Sequence, residues 1–268
     1  MGINPDILAP EAWHAALAAL EWQIDLGVTE ITGEEPLDRY ALPETVKPPQ
    51  VAAPAVHLAV AAPHLAAPQA NATNVARATA DAAASLEALR AAVAGFDLCE
   101  LKRGARTTVF ADGNPAARVL VLGEAPGREE DLEGRPFVGR AGQLLDRMFA
   151  AIGLSRTSPD PQTALYLTNV MPWRPPQNRD PEPEEIAMMR PFVERHVELI
   201  DPALIVLMGN TPCQCLLETR GILRLRGQWA QALGRPVLPM AHPAYLLRNP
   251  AAKREAWADL LSLKEKLR

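Results

Sequence analysis

Cysteine is scarce. Cys99, Cys213 and Cys215 are the only three in 268 residues, too few and too clustered for a disulfide framework, so a reducing, cytoplasmic setting is expected. Long apolar runs are also missing: no stretch of about 18 apolar residues occurs, which excludes a transmembrane helix. The opening "MGINPDILAPEAWHAAL" lacks a basic region before an apolar core, so no secretory signal is expected. Neither a Walker loop (Gly-x-x-x-x-Gly-Lys-Ser/Thr) nor a Rossmann turn (Gly-x-Gly-x-x-Gly) follows the first apolar strand, which removes the two familiar phosphate cradles at that position.

Positive charge is short overall, with a net charge of −5. The deficit is local. Residues 1–95 carry four basic and eleven acidic side chains, whereas residues 96–268 carry 23 basic and 21 acidic, 19 of the basic ones arginine. Arginine's planar fork suits phosphates and base edges, so a nucleic-acid partner stays open for the second half.

Three regions follow from the patterning. In residues 1–41, Trp13, Leu17, Leu20 and Ile24 recur at helical spacing ahead of Gly27, which predicts an amphipathic helix in an N-terminal extension suited to a protein partner. Residues 42–80 are rich in alanine and proline and read as a semi-extended linker. Residues 81–268 read as the main domain, entered through an alanine-rich helix. There, strand-length apolar runs ("RVLVLG", "LYLTNV", "LIVLMG", "PVLPM") alternate with helical patterns near 140–152, 182–200, 211–219 and 250–266. Continuous rather than alternating hydrophobicity means strands covered on both faces, hence α/β: a three-layer α/β/α domain with a short, mainly parallel four-stranded sheet. Ligands in such sheets bind beyond the C-terminal strand ends. The unusual loops "GEAPG", "NVMPWRPPQNRD", "GNTP" and "AHPAYLLRNP" all fall there.

These loops carry the candidate chemistry. Glu124 abuts a buried strand end, where a carboxylate is costly without a task. Glu129 and Asp131 read as a solvated acidic turn. Phe137 is open to two readings, core residue or flat stacking platform. The start of the helix at Gly139–Gln143 offers free N–H groups to a phosphate. Asn169 ends a strand with a carboxamide that donates and accepts at once, as the edge of an imide base requires, or as a loop backbone would. Of five histidines, only His242 stands in a rigid strand-end loop, where a neutral imidazole can donate to developing negative charge. Tyr245, Leu246 and Leu247 are either core or an apolar wedge for a base stack. Cys213 and Cys215 read as inert buried thiols.

Four long blocks, "GEAPGREEDLEGRPFVGRAGQLLDRM", "LTNVMPWRPPQNRDPEPEEI", "LIVLMGNT" and "HPAYLLRNPAAKREAWADL", stand in the order and spacing of the family 4 uracil-DNA glycosylases, which the chain resembles over roughly residues 86–268. The resemblance implies cleavage of the N-glycosidic bond of deoxyuridine in single- or double-stranded DNA by a monomer. It implies Glu124, Asn169 and His242 as catalytic residues, and Gly123, Ala125, Glu130, Phe137, Asn169 and His242 around uracil. Phe137 would stack on the extrahelical base, Asn169 would read its N3/O4 edge, His242 would face O2, and Glu130 would crowd C5 against thymine's methyl. It further implies DNA contacts from Arg140, Gly142, Gln143, Arg174, Asn178, Arg179, Asn210, Tyr245, Leu246, Leu247 and Arg248.

One departure is substantial. The family's four-iron–four-sulfur cluster sits on four cysteines, which by position fall at Phe96, Cys99, Trp173 and Met189. One thiolate cannot hold a cluster that needs four, so no cluster, metal or other cofactor is expected. Related glycosylases of another family have an aspartate where Ala125 stands, which shifts the expected burden onto stabilising the leaving base. A second reading, a uracil- or abasic-DNA binder with little turnover, is motivated by the lost cluster and the altered "VMPWRPP" loop.

Overall fold

The computed structural model describes residues 66–268, with side chains from Asn71 onward. The amphipathic helix expected within 1–41, and the 42–80 segment up to residue 65, lie outside the described residues. In chain order the elements are α1 (Ala66–Asp81), α2 (Leu86–Gly95), α3 (Leu101–Gly104), β1 (Ala111–Gly113), β2 (Val119–Gly123), α4 (Arg128–Glu133), α5 (Arg140–Ala150), β3 (Leu165–Asn169), α6 (Pro183–Ile200), β4 (Leu204–Met208), α7 (Asn210–Leu217), α8 (Ile222–Leu225), β5 (Ala230–Ala232), β6 (Arg235–Met240), α9 (Pro243–Arg248) and α10 (Lys253–Lys266).

The four predicted strands form the middle of a six-stranded sheet in the order β1-β3-β2-β4-β6-β5. The inner four are parallel, and β1 and β5 pair antiparallel at the two edges. The sheet is therefore mixed and two strands wider than expected. The edge strands escaped the sequence pattern because "ADG" and "AQA" have no apolar run and are only partly buried.

Every residue of β2, β3 and β4 is buried, as a sheet covered on both faces requires. Alternate residues divide between the faces. Leu120, Leu122, Tyr166, Ile205 and Leu207 enter one apolar cluster with residues of α1, α2, α6 and α7. Val119, Val121, Leu165, Leu167, Val206 and Met208 enter another, with Leu145 and Phe149 of α5 and Leu260 and Leu263 of α10. Each fully buried Leu, Ile or Val contributes about 1.5–3 kcal/mol. The layers are thus helix, sheet, helix.

The linker reading fails for residues 66–80. They form helix α1, which packs on α6 with Ala72, Ala76 and Ala80 buried at four-residue spacing. Its Pro68 sits in the first turn, where a missing N–H costs little, and alanine is the best helix former. The alanine-rich entry helix is in fact two, because Ser85 breaks in and caps α2, its Oγ accepting from Ala88 N at 3.1 Å. No helix among the described residues is long and apolar enough to cross a membrane.

Candidate active site

The parallel register brings the strand ends together. Gly123 lies opposite Asn169, and the ladder continues past them: Val170 N donates to Gly123 O at 2.9 Å and Met171 N to Glu124 O at 3.0 Å. On the other side Gly209 N donates to Met240 O at 3.0 Å, which fixes the approach to His242. Glu124, Ala125, Glu130, Phe137, Asn169 and His242 consequently line one cleft of about 640 Å³.

Glycine makes room where the walls are tightest. A Cβ at Gly123 would lie 2.9 Å from Phe137 Cε2, and closer still to Phe137 Cζ and Asn169 Oδ1. A Cβ at Gly142 would lie 2.7 Å from Phe137 Cα and nearer yet to its carbonyl. Phe137 itself has φ of +55°, a left-handed backbone that an L residue occupies only under constraint. Part of that constraint is Glu130, which is buried. Its Oε1 accepts from Val138 N and Gly139 N, both at 2.9 Å, and its Oε2 from Gly127 N at 3.0 Å. A carboxyl group that accepts from three backbone donors is held in place in the cleft wall.

His242 caps α9. Its Nδ1 accepts from Ala244 N at 3.2 Å, so the neutral ring carries its proton on Nε2. Burial, reinforced by the Arg248 guanidinium, pulls its pKa down to about 4, which keeps the imidazole neutral at physiological pH. Its ring faces Phe137 with centroids 6.0 Å apart and planes 28° apart. Glu124 is held above the usual carboxylate range by burial, while a hydrogen bond from the Thr211 hydroxyl works the other way. Gly209, at φ of +101°, separates the two: a Cβ there would be 3.5 Å from His242 Cβ and 3.8 Å from Glu124 Oε2. Asn169 is buried and reaches the cleft, and its side chain has no protein hydrogen-bond partner among the described residues. One cleft therefore holds an uncommitted carboxamide, a neutral imidazole donor, a carboxylate and an aromatic face.

The uracil DNA glycosylase superfamily matches residues 110–261, more than half of the chain. The chain belongs to the uracil DNA glycosylase superfamily. Among curated relatives, the type-4 uracil-DNA glycosylase of Archaeoglobus fulgidus is 38% identical over 178 residues, covering 62% of this chain and 85% of that protein. The type-4 enzyme of Thermotoga maritima is 40% identical over 154 residues, covering 56% and 77%. That of Sulfurisphaera tokodaii is 35% identical over 191 residues, covering 68% and 84%.

The residues expected on DNA in this superfamily member divide by position. Arg140, Asn178, Arg179, Leu247 and Arg248 line the cleft, and Gln143 is exposed on α5. Arg174 does not line the cleft but donates to Asn178 Oδ1 at 2.8 Å, and Arg179 is forked onto Glu185 at 2.9 and 2.6 Å. Gly142 is buried against the Phe137 backbone, where the absence of a side chain makes room for that turn. Leu246 is 0% exposed in a cluster with Leu144, Ala241 and Ala256; Tyr245 and Leu247 are both partly buried against that cluster, and of these two Leu247 also lines the cleft. Asn210 uses its Oδ1 to accept from Gly221 N and Ile222 N, closing a loop. Asp131 is not solvated as expected: it is buried and accepts from Arg106 N at 2.8 Å and Thr107 N at 3.1 Å. Arg128 also lines the cleft, and its place inside "PGREED" was the available signal.

At the four positions where the resemblance places cluster cysteines, three side chains have no thiolate to offer iron. Phe96, Cys99, Trp173 and Met189 are all buried in the apolar cluster beneath α2 and α6. Phe96 packs edge-on to Phe192 at 5.2 Å, and Trp173 Nε1 donates to Thr108 Oγ1 at 3.1 Å. Burial pushes the Cys99 thiol above its ordinary pKa.

Proposed function

We propose that this superfamily member is a monofunctional uracil-DNA glycosylase that hydrolyses the bond between deoxyribose C1′ and uracil N1, releasing uracil and leaving an abasic site. The observation that carries this reading is the convergence of Asn169, Phe137 and a neutral, Nε2-protonated His242 on one cleft.

The flipped nucleotide loses stacking in the duplex, at a cost of a few kcal/mol. Phe137 offers a replacement stack, and the free Asn169 carboxamide accepts from N3–H and donates to O4. As C1′–N1 breaks, its electron pair moves onto the uracil ring and charge gathers at O2, within reach of the His242 Nε2–H. A donor fixed before the charge develops needs no reorganisation at the barrier. Water adds to C1′ and loses a proton to solvent past Glu124, whose ionised form also favours the positive sugar. With alanine at position 125, leaving-group stabilisation carries most of the rate. Glu130, tied down by three backbone donors, is suited to excluding a methyl at C5.

DNA would run over the rim formed by Arg140, Gln143, Arg174, Asn178, Arg179, Leu247 and Arg248, with Leu247 as the wedge. Every reacting group comes from one chain, so a monomer suffices. We read the volume of the family's cluster as refilled by Phe96, Trp173 and Met189, leaving the activity independent of iron. Cleavage of a uracil-containing oligonucleotide, followed by alkali, tests the reading. His242→Ala and Asn169→Ala should each cut the rate by about 10²–10³. Near-normal rates in both would overturn the site, and retarded mobility without abasic product would favour a binder.

A further inference from the structure

Nineteen residues beyond Phe137, Arg156 carries a guanidinium whose side chain is only 9% exposed. Four of its five N–H groups are committed: Nε to Asp146 Oδ1 at 2.8 Å, Nη1 to Asp112 Oδ2 at 3.1 Å and to Pro136 O at 2.9 Å, and Nη2 to Phe137 O at 2.8 Å. The two carbonyls belong to the residues that enter and form the left-handed turn at Phe137. On the other side of the same turn, Glu130 accepts from the next two N–H groups, Val138 and Gly139. The turn is thus gripped from both sides by opposite charges, its carbonyls by a guanidinium and its amides by a carboxylate. A left-handed backbone is disfavoured at a bulky L residue and persists only when its surroundings over-determine it.

We propose that Arg156 is a positioning residue for base recognition: it holds the Phe137 backbone in its left-handed form and thereby aims the ring into the cleft, while Asp112 and Asp146 orient the guanidinium. The inference rests on the reading of Phe137 as the platform for the extrahelical uracil. Arg156 is too enclosed and too fully committed to serve as a phosphate contact. Lysine cannot replace it, because a single ammonium lacks the planar fork that reaches two carbonyls and two carboxylates together.

The test is a double-mutant cycle on the full-length chain, combining Arg156→Lys with Phe137→Ala. Single-turnover cleavage of a uracil oligonucleotide is measured, with affinity for the matching uracil-free duplex and thermal unfolding alongside. Arg156→Lys should slow cleavage by about ten- to a hundredfold, the range a misplacement near 1 Å produces. Uracil-free binding should change less than about twofold, because no phosphate contact is lost. In the Phe137→Ala background the same substitution should change the rate less than about twofold, since coupled residues are non-additive. Equal losses in both backgrounds, or a near-wild-type rate for Arg156→Lys, overturn the positioning role. A wild-type rate for Phe137→Ala alone overturns the stacking reading, and the positioning role with it. Should Arg156→Lys fail to fold, Asp146→Asn loosens the same guanidinium from the exposed side. It should slow cleavage in the wild-type background only, and an equal loss in both backgrounds again overturns the proposal.

Discussion

Replacing Gly123 by alanine should cost far more activity than stability. The added Cβ would stand 2.9 Å from Phe137 Cε2, and closer to Phe137 Cζ and Asn169 Oδ1. Carbon atoms pack at about 3.5–4.0 Å, so ring and carboxamide must each retreat by about 1 Å. Both contacts are with the cleft ends of side chains, not with backbone, and the strand-end backbone at 123 needs no left-handed φ. Relief is therefore available through side-chain movement into the cleft, and the destabilisation should stay near the low end of overpacking, about 1–2 kcal/mol. Activity has no such relief, because the two groups that move are the platform and the edge reader. A displacement near 1 Å costs about 100-fold in rate. Single-turnover cleavage and urea unfolding of Gly123→Ala should show those two effects together. A variant that keeps its rate within about threefold, at any stability, would refute the claim that Phe137 and Asn169 act from the positions described.

Other outcomes follow from burial and charge. His242 stays neutral down to about pH 4, so cleavage should show no acid limb centred on the ordinary histidine pKa of about 6.5; a midpoint there would refute the assignment. His196, buried and bonded through Nε2 to Tyr166 Oη at 2.8 Å, has its pKa lowered to about 3. The unfolded state then binds the proton more readily, so its contribution to stability is present above about pH 6.5 and is lost as pH falls toward 3, about 2 kcal/mol by pH 5. Urea unfolding of His196→Asn should show a correspondingly smaller drop between pH 7 and 5. Trp173→Ala should cost about 3–5 kcal/mol by denaturant unfolding, and the purified protein should contain no stoichiometric iron or absorbance near 400 nm. Leu246→Ala should cost about 2–5 kcal/mol of stability, whereas Leu247→Ala should leave stability within about 1 kcal/mol and weaken cleavage in duplex DNA.

Much of this architecture was legible along the chain because its signals are local. Four apolar runs marked the parallel strands within a residue or two, and the loops after them marked the cleft edge, since parallel strands must all end on the same side. Glu124, Asn169 and His242 were recognisable as polar residues at buried strand ends. Composition misled where it was averaged: the proline-rich stretch before Pro68 hid the alanine helix that begins at Ala66. Three-residue edge strands were invisible because they carry no periodicity of their own.

What the sequence determined by itself was the layer order, the strand set and the residue types that face the cleft, all consequences of hydrophobic periodicity and strand-end placement. Only the tertiary structure decided which of those residues are free to act. Leu246 and Gly142 are consumed by packing, Asn210 and Asp131 by backbone donors, whereas Leu247 and Asn169 line the cleft. Tertiary structure also made Arg156 part of the Phe137 turn, by packing the segment after α5 behind it. Hydrogen-bond satisfaction and close packing depend on groups distant in sequence, and no local pattern encodes which donor will find which acceptor.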